Sequence, residues 1–143
     1  NFGVTLATST SFNFTLDLDR NGQTGGTNES VAYTLSDLDG DGIVDELNRN
    51  NRPVAENIAA LNFVYLGANG DPLADPVPTN SLTDIRSVEV TIVARTGRVD
   101  PGYIVEATEF RNKQEDTIYT SAAGDHFRYK KLTSQIKCRN LGL

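Results

Sequence analysis

Apolar and polar residues alternate with a period of two in several segments of this chain, and this pattern constrains the fold more than any other feature. The alternation is clearest in residues 11–18 (SFNFTLDL), 86–95 (RSVEVTIVAR) and 131–140 (KLTSQIKCRN). Successive side chains of a β-strand point to opposite faces, so each segment is predicted to be a strand with one buried and one exposed face. Strands of this kind are typical of an antiparallel sheet that is covered on one side.

For residues 86–95, this pattern predicts which side chains are buried and which are exposed. The residues expected to face the core are Val88, Val90, Ile92 and Ala94, and those expected to face water are Glu89, Thr91 and Arg95. The same alternation in the last strand places Cys138 on the apolar side, where we expect it to be buried. Because Cys138 is the single cysteine, the chain cannot form an intramolecular disulfide.

Residues 51–61 (NRPVAENIAAL) have a helical period and predict one short helix at about 53–60. Pro53 suits the first turn of a helix, and Glu56 would lie near its positive end. The apolar residues spaced at i, i+4 and i+7 are Val54, Ile58 and Leu61. The predicted fold class is therefore α+β, dominated by antiparallel β-sheet.

The length of the chain indicates its number of domains, and its charge excludes some classes of partner. With 143 residues, it fits a single domain, which we predict to span residues 1–143. Its 13 basic and 19 acidic side chains give a net charge of -6. This balance argues against nucleic acid and against an anionic membrane surface as partners.

Residues 37–48 (DLDGDGIVDELN) match the twelve-residue calcium loop at most of its positions. The candidate ligands, in order along this loop, are Asp37, Asp39, Asp41, the Ile43 carbonyl and Asp45 at positions 1, 3, 5, 7 and 9. Gly42 occupies position 6, where the backbone turns sharply. Position 12 is Asn48 instead of the usual glutamate, and Glu46 is the residue that we expect to replace it.

Calcium suits this loop better than other metals do. It accepts six to eight oxygen ligands with loose geometry, whereas magnesium requires a near-ideal octahedron and zinc prefers nitrogen or sulfur. The alternative is a solvated turn in which aspartate and glycine serve only as turn residues.

Residues 17–28 (DLDRNGQTGGTN) repeat the first half of the motif. Asp17, Asp19 and Asn21 fall at positions 1, 3 and 5, and Gly22 falls at position 6. The second half fails, although Glu29 follows directly after the loop. We expect a second calcium site here, with two alternatives: a plain loop, or an ion that both loops share.

Three segments together resemble the soluble part of the PilW-type minor pilins of type IV pili. These segments are VAENIAALNFVYLGANG (54–70), DIRSVEVTIVARTG (84–97) and FRYKKLTSQIKCRNLGL (127–143). The matching residues are Ala55, Glu56, Asn57, Ile58, Leu61, Phe63 and Tyr65 in the first, Ile85, Arg86, Ser87, Val88 and Val90 in the second, and Leu132, Thr133, Ser134, Ile136, Arg139, Asn140 and Leu141 in the third. The resemblance covers roughly residues 10–143.

The resemblance implies a pilin-like domain that acts in pilus assembly at the cell surface or in the periplasm. Its implied partners are other pilin or minor pilin subunits, with no nucleic acid and no small-molecule substrate. It also implies an apolar N-terminal helix of about 25 residues. We expect that helix to be missing from this chain, and contact with a membrane to occur only through it.

The sequence predicts a non-enzymatic protein. His126 is the single histidine, and no catalytic motif such as G-x-S-x-G or H-E-x-x-H accompanies it. Two alternatives to a pilus subunit remain open: a calcium-dependent extracellular adhesion module, and a pseudopilin of type II secretion.

Overall fold

The computed structural model describes residues 2–138. Within this range the chain forms ten β-strands and one 3-10 helix, Thr79–Asp84. The strands are β1 (Phe2–Ala7), β2 (Ser11–Leu16), β3 (Ser30–Ser36), β4 (Glu46–Arg49), β5 (Arg52–Ala55), β6 (Ile58–Leu66), β7 (Ser87–Arg95), β8 (Glu109–Arg111), β9 (Thr117–Thr120) and β10 (Tyr129–Lys137). The last two residues of the predicted strand 131–140, and the Arg139, Asn140 and Leu141 of the pilin-like ending, lie outside the described residues.

The strands form three antiparallel sheets. Sheet A contains five strands in the order β1-β2-β3-β4-β5, so each strand pairs with its neighbour along the chain. Sheet B has the order β10-β7-β6, and sheet C is the hairpin of β8 and β9. Between residues 2 and 138, no helix is long and apolar enough to cross a membrane.

The predicted α+β class is wrong, because the described chain is mostly antiparallel β-sheet and has no helix of seven or more residues. The predicted helix at 53–60 is replaced by β5 and the beginning of β6. Asn57 lies between these two strands with a φ of 61°, in the left-handed region, where a right-handed helix cannot continue. A helix of about eight residues is also too short to persist without strong packing.

On the predicted core face of the central strand β7, Val88 is buried but Val90, Ile92 and Ala94 are only half-buried. The other face is covered as well, which corrects the predicted exposure of Glu89 and Thr91. Both are buried, Glu89 at 7% and Thr91 at 2% exposure. The segment before β9 covers this face, since Lys113 Nζ and Gln114 Nε2 donate hydrogen bonds to the Glu89 carboxylate at 3.1 and 2.7 Å. Periodicity alone could not show that a second layer would cover the polar face.

The core lies between sheets A and B and is completed by the segment around the 3-10 helix. Its buried members are Val4, Ala7, Leu61, Phe63, Tyr65, Val77, Leu82, Ile85 and Val88. Phe12 of sheet A joins the two layers, with its ring centroid 5.9 Å from that of Phe63 and 5.6 Å from that of Tyr65. Full burial of each large apolar side chain contributes about 1.5–3 kcal/mol, so these contacts hold the two sheets together.

The two sheets do not close over their whole length. A half-open apolar cavity of about 500 Å³ lies between them, lined by aromatic side chains such as Phe14 and Tyr33 and by Val90. Ile136 of β10 also lines the cavity and is 56% exposed. Cys138 also lines this cavity and is half-buried, and its burial raises the pKa of the thiol.

Candidate metal centres

The two acidic loops lie at opposite ends of strand β3. The first connects β2 to β3, and the second connects β3 to β4. Because β3 is antiparallel to both neighbours and has seven residues, its ends are separated by about 20 Å. One ion therefore cannot bind to both loops, and the shared-ion alternative is wrong.

The second loop folds around its first aspartates. The Gly40 and Gly42 N–H groups donate to the two carboxylate oxygens of Asp37 at 2.7 and 2.9 Å. The Asp41 N–H donates to Asp39 at 3.0 Å. Gly42 has a φ of 87°, a conformation that side chains other than hydrogen rarely allow, so the glycine at position 6 is required by the turn.

Glu46 closes this loop: its carboxylate lies beside those of Asp37 and Asp39. It is the first residue of β4, is only 4% exposed, and accepts a hydrogen bond from the Leu38 N–H at 2.8 Å. Oxygen atoms of Asp37, Asp39 and Glu46 all lie within 4.8 Å of one another. The prediction that Glu46 bends into the loop agrees with this geometry.

Electrostatic repulsion acts on the buried glutamate. The hydrogen bond from Leu38 lowers the pKa of Glu46, but burial and the charges of Asp39, Asp45 and Asp37 outweigh it and hold the pKa above its usual range. A cation among these carboxylates would offset the repulsion.

The other predicted ligands of the second loop lie outside the three-carboxylate cluster. Asp41 accepts a hydrogen bond from the Ile43 N–H at 2.8 Å and serves the turn. Asp45 turns to the opposite side and forms an ion pair with Arg95 at 2.7 Å. Asn48 is buried in β4, where its side-chain amide donates to Ser36 Oγ and to the Glu46 carbonyl.

The first loop repeats three internal hydrogen bonds of the second loop. The Gly22 N–H donates to Asp17 at 3.0 Å, the Asn21 N–H to Asp19 at 3.0 Å, and the Gln23 N–H to Asn21 at 2.7 Å. Burial raises the pKa of Asp17, but the hydrogen bond from Gly22 is among the interactions that outweigh it, so the pKa lies below its usual range. The half-motif in the sequence thus folds like the complete one.

Glu29 closes the first loop as Glu46 closes the second. It is 1% exposed and accepts hydrogen bonds from the Leu18 N–H at 3.0 Å and the Gly26 N–H at 2.6 Å. Oxygen atoms of Asp17, Asp19 and Glu29 lie within 4.8 Å of one another. Each of the two clusters can therefore hold a metal ion.

Glu29 is not at a ligand position of the twelve-residue template, because the template fixes the spacing of the last ligand. Glu29 follows Asp17 by twelve residues, whereas Glu46 follows Asp37 by nine. The feature that both glutamates share is their place at the beginning of the strand after the loop: Glu29 directly precedes β3, and Glu46 begins β4. A search for a glutamate at that junction would have found both.

His126 lies far along the chain from the acidic loops, in the connection before β10. Its Nδ1 lies 2.7 Å from the Tyr103 carbonyl. Arg128 forms an ion pair with Asp100 at 2.7 Å and stacks on the Tyr103 ring, with its Cζ 4.2 Å from the ring centroid. These contacts fold the connection onto itself.

Comparisons with protein-family models, with curated proteins and with solved structures find no match for this chain. The resemblance to PilW-type minor pilins therefore depends on the three sequence segments alone. The structural observations that bear on function are the two acidic clusters and the open apolar cavity.

Proposed function

We propose that this chain is a calcium-binding, non-enzymatic domain that works outside the cytoplasm as a minor pilin or pseudopilin subunit in type IV pilus assembly. The observation that carries the calcium part is that the two loops share three internal hydrogen bonds and that each loop is closed by a buried glutamate. An ordinary Asp-Gly turn needs neither feature, since one or two turn residues are enough to reverse the chain.

Calcium is the ion that fits the donor set. Each cluster offers carboxylate oxygens, which are hard ligands, and no cysteine or histidine belongs to either cluster. Three carboxylates leave several of the six to eight calcium positions to backbone carbonyls, side-chain amides or water, which calcium tolerates. Magnesium would require a stricter octahedron.

The proposed location outside the cytoplasm is based on the calcium concentration that such sites need. A site stabilises the folded state only when the free ion exceeds its dissociation constant, and the gain is about 2.7 kcal/mol at one hundred times that constant. Weak calcium sites in extracellular domains have dissociation constants of about 10⁻⁴–10⁻³ M. Two sites built on short loops are therefore useful where calcium is abundant, outside the cytoplasm.

The assembly part of the proposal comes from the pilin-like segments, and the open apolar cavity supports it. Contiguous exposed apolar surface is typical of a protein that packs against another protein. Ile136, which lines the cavity, and the exposed Leu132 on the same strand belong to the third pilin-like segment. Such a subunit would act through contacts with other pilin-like subunits.

Calorimetric titration with CaCl₂ tests the calcium part. The expected result is binding of two ions per chain, reduced to one in either Asp17→Asn/Asp19→Asn or Asp37→Asn/Asp39→Asn. Absence of any binding heat at millimolar calcium would contradict it.

The assembly part has its own test. We expect the gene to encode a prepilin cleavage site and an apolar segment of about 25 residues upstream of Asn1. Deletion of the gene should reduce the number of surface filaments, and the intact gene should restore it. An upstream sequence of another kind, together with an unchanged filament number, would contradict a pilus subunit and favour the free adhesion module.

A further inference from the structure

Asp45 connects the second metal loop to sheet B. It directly precedes Glu46, but its side chain points to the other side of the chain, as successive side chains do in an extended segment. Asp45 is 7% exposed, and its Oδ2 lies 2.7 Å from Nη2 of Arg95, the last residue of β7. The residue that the calcium template assigns to the ion therefore contacts the neighbouring sheet.

The backbone makes a second connection at the same point. The Ile58 N–H, at the beginning of β6, donates to the Asp45 carbonyl at 2.9 Å. The Arg95 N–H donates to the Asn57 carbonyl, also at 2.9 Å. Asp45 is thus fixed to both β6 and β7, and movement of Asp45 relative to sheet B would break its hydrogen bonds to Ile58 and Arg95.

Arg95 extends the contact to the connection before β10. Its guanidinium carbon lies 4.5 Å from the centroid of the Phe127 ring, a cation–π distance. The next residue, Thr96, donates its N–H to the Arg128 carbonyl at 2.9 Å. A continuous set of contacts therefore leads from Glu46 through Asp45 and Arg95 to Phe127.

We propose that the Asp45–Arg95 pair couples calcium binding in the second loop to the packing of sheet A on sheet B. The coupling rests on the proposed calcium site, and Asp45 acts in it as a positioning residue and not as a ligand. An ion bound by Asp37, Asp39 and Glu46 restrains the backbone at Glu46, and the ion pair transfers this restraint to the end of β7.

The physical basis of the coupling is reciprocal. If the ion pair holds Glu46 in place, less order has to be gained when calcium binds, so the ion binds more tightly. By linkage, bound calcium then stabilises the contacts at Ile58 and Thr96 by the same factor. Couplings of this kind change affinity by about 5- to 150-fold.

Hydrogen exchange of backbone amides, measured with CaCl₂ and with EDTA, tests this coupling. In the parent protein we expect calcium to slow exchange in the loop, at Leu38 and Gly42, and also at Ile58 and Thr96. In Asp45→Asn and in Arg95→Gln, we expect calcium to protect the loop at concentrations at least about fivefold higher. Protection of Ile58 and Thr96 by calcium should be smaller in both variants than in the parent, because only the general stabilisation of the fold by bound ions remains.

Two further variants serve as controls. Arg95→Lys keeps the positive charge beside Asp45 and should retain most of the calcium effect at Ile58. Glu109→Gln removes a different carboxylate–arginine pair, Glu109 with Arg111, which is exposed and away from the loop. It should leave both the affinity and the protection unchanged.

The outcomes separate the coupling from the calcium site. Calcium protection of Leu38 and Gly42 without any at Ile58 and Thr96, in the parent protein, would overturn the coupling alone. Tighter binding in Arg95→Gln would also overturn it, since a released Asp45 would then be a ligand. No calcium protection at Leu38 and Gly42 would overturn the site and the coupling together. The comparison within the parent protein can overturn the coupling even if a variant fails to fold.

Discussion

Single residues decide whether these loops are metal sites or ordinary turns. Asp37 and Asp17 each accept an N–H from the glycine at loop position 6, and such hydrogen bonds also occur in loops without an ion. The buried glutamates are different, because an ionised carboxylate is costly to bury beside two others. Glu29 and Glu46 are therefore the residues whose replacement is most informative.

Replacing Glu46 by glutamine should weaken calcium binding in the second loop by about tenfold, or ~1.4 kcal/mol, because one charged ligand becomes neutral. Removing a charge from the cluster also relieves repulsion, so the variant should be at least as stable as the parent in EDTA. Calorimetric titration and thermal unfolding measure the two effects. An unchanged affinity would exclude Glu46 as a ligand.

Replacing Gly26 by alanine should disrupt the first loop, since a Cβ there would lie 2.7 Å from Oε2 of the buried Glu29. We expect a loss of about 1–3 kcal/mol in the free energy of unfolding and weaker calcium binding in that loop. Gly25→Ala is the matched control, because a Cβ at Gly25 meets nothing within 4 Å. Equal effects of the two substitutions in urea unfolding would contradict the placement of Glu29.

Asp125 should contribute to acid unfolding. Hydrogen bonds from the Tyr129 hydroxyl and the Phe127 N–H hold the pKa of Asp125 below its usual range. A carboxyl with a lowered folded-state pKa stabilises the protein above its unfolded pKa, and this contribution is lost as the pH falls through the folded pKa.

The decline in unfolding free energy between about pH 5 and pH 2, measured in EDTA, should therefore be shallower in Asp125→Asn than in the parent. Asp84→Asn is the comparison, since Asp84 is exposed at the end of the 3-10 helix. Parallel pH profiles for the parent and Asp125→Asn would contradict the hydrogen-bonded carboxylate.

Among the elements, strands with clean alternation were predictable and the segment 51–61 was not. Strands β2, β7 and β10 form where the alternation predicts them. Their burial does not alternate, since β2 is half-buried throughout, β7 buries its polar face, and β10 is exposed over almost its whole length. In 51–61, Val54, Ile58 and Leu61 fit a helical period, but the φ of Asn57 and the pairing of Pro53 with Asn48 at the edge of sheet A belong to strands. The predicted helix at 53–60 has eight residues, which are too few for periodicity to distinguish a helix from strands.

Asn57 provides a direct test of the corrected element. In the left-handed region between β5 and β6, glycine is favoured and alanine is strained by about 1–2 kcal/mol. Asn57→Gly should therefore match or exceed the parent in stability, and Asn57→Ala should fall below it. A helix at 53–60 would give the opposite order, because alanine is the best helix former and glycine one of the worst. Urea unfolding of the two variants distinguishes these orders.

The candidate metal sites, like the strands, could be predicted only in part from the sequence. The sequence predicted the aspartates at positions 1 and 3 of each loop, because alternate residues of a turning backbone point to the same centre. These residues are Asp17 and Asp19 in the first loop and Asp37 and Asp39 in the second. The sequence did not predict that Asp45 contacts Arg95 or that Glu29 joins the first cluster, because both places depend on strand pairing and on the neighbouring sheet. A linear template contains neither kind of information.

In the whole molecule, sheets A and B share one hydrophobic core, and an apolar cavity remains open between them. The acidic clusters lie at the two ends of β3, so ions bound there would fix both loops that flank the central strand of sheet A. Ordering a loop costs about 1–2 kcal/mol per residue in backbone entropy, and ion binding would offset part of that cost. Calcium should therefore stabilise the entire fold and not only its loops.

The melting temperature of the parent protein in calcium and in EDTA tests whether bound calcium stabilises the fold. At calcium concentrations about one hundred times the dissociation constant, one site adds about 2.7 kcal/mol, which corresponds to a rise of about 5–10 °C for a chain of this size. The rise should be smaller in Asp37→Asn/Asp39→Asn and absent when Asp17→Asn/Asp19→Asn is added. A melting temperature that is the same in millimolar calcium and in EDTA would contradict the account.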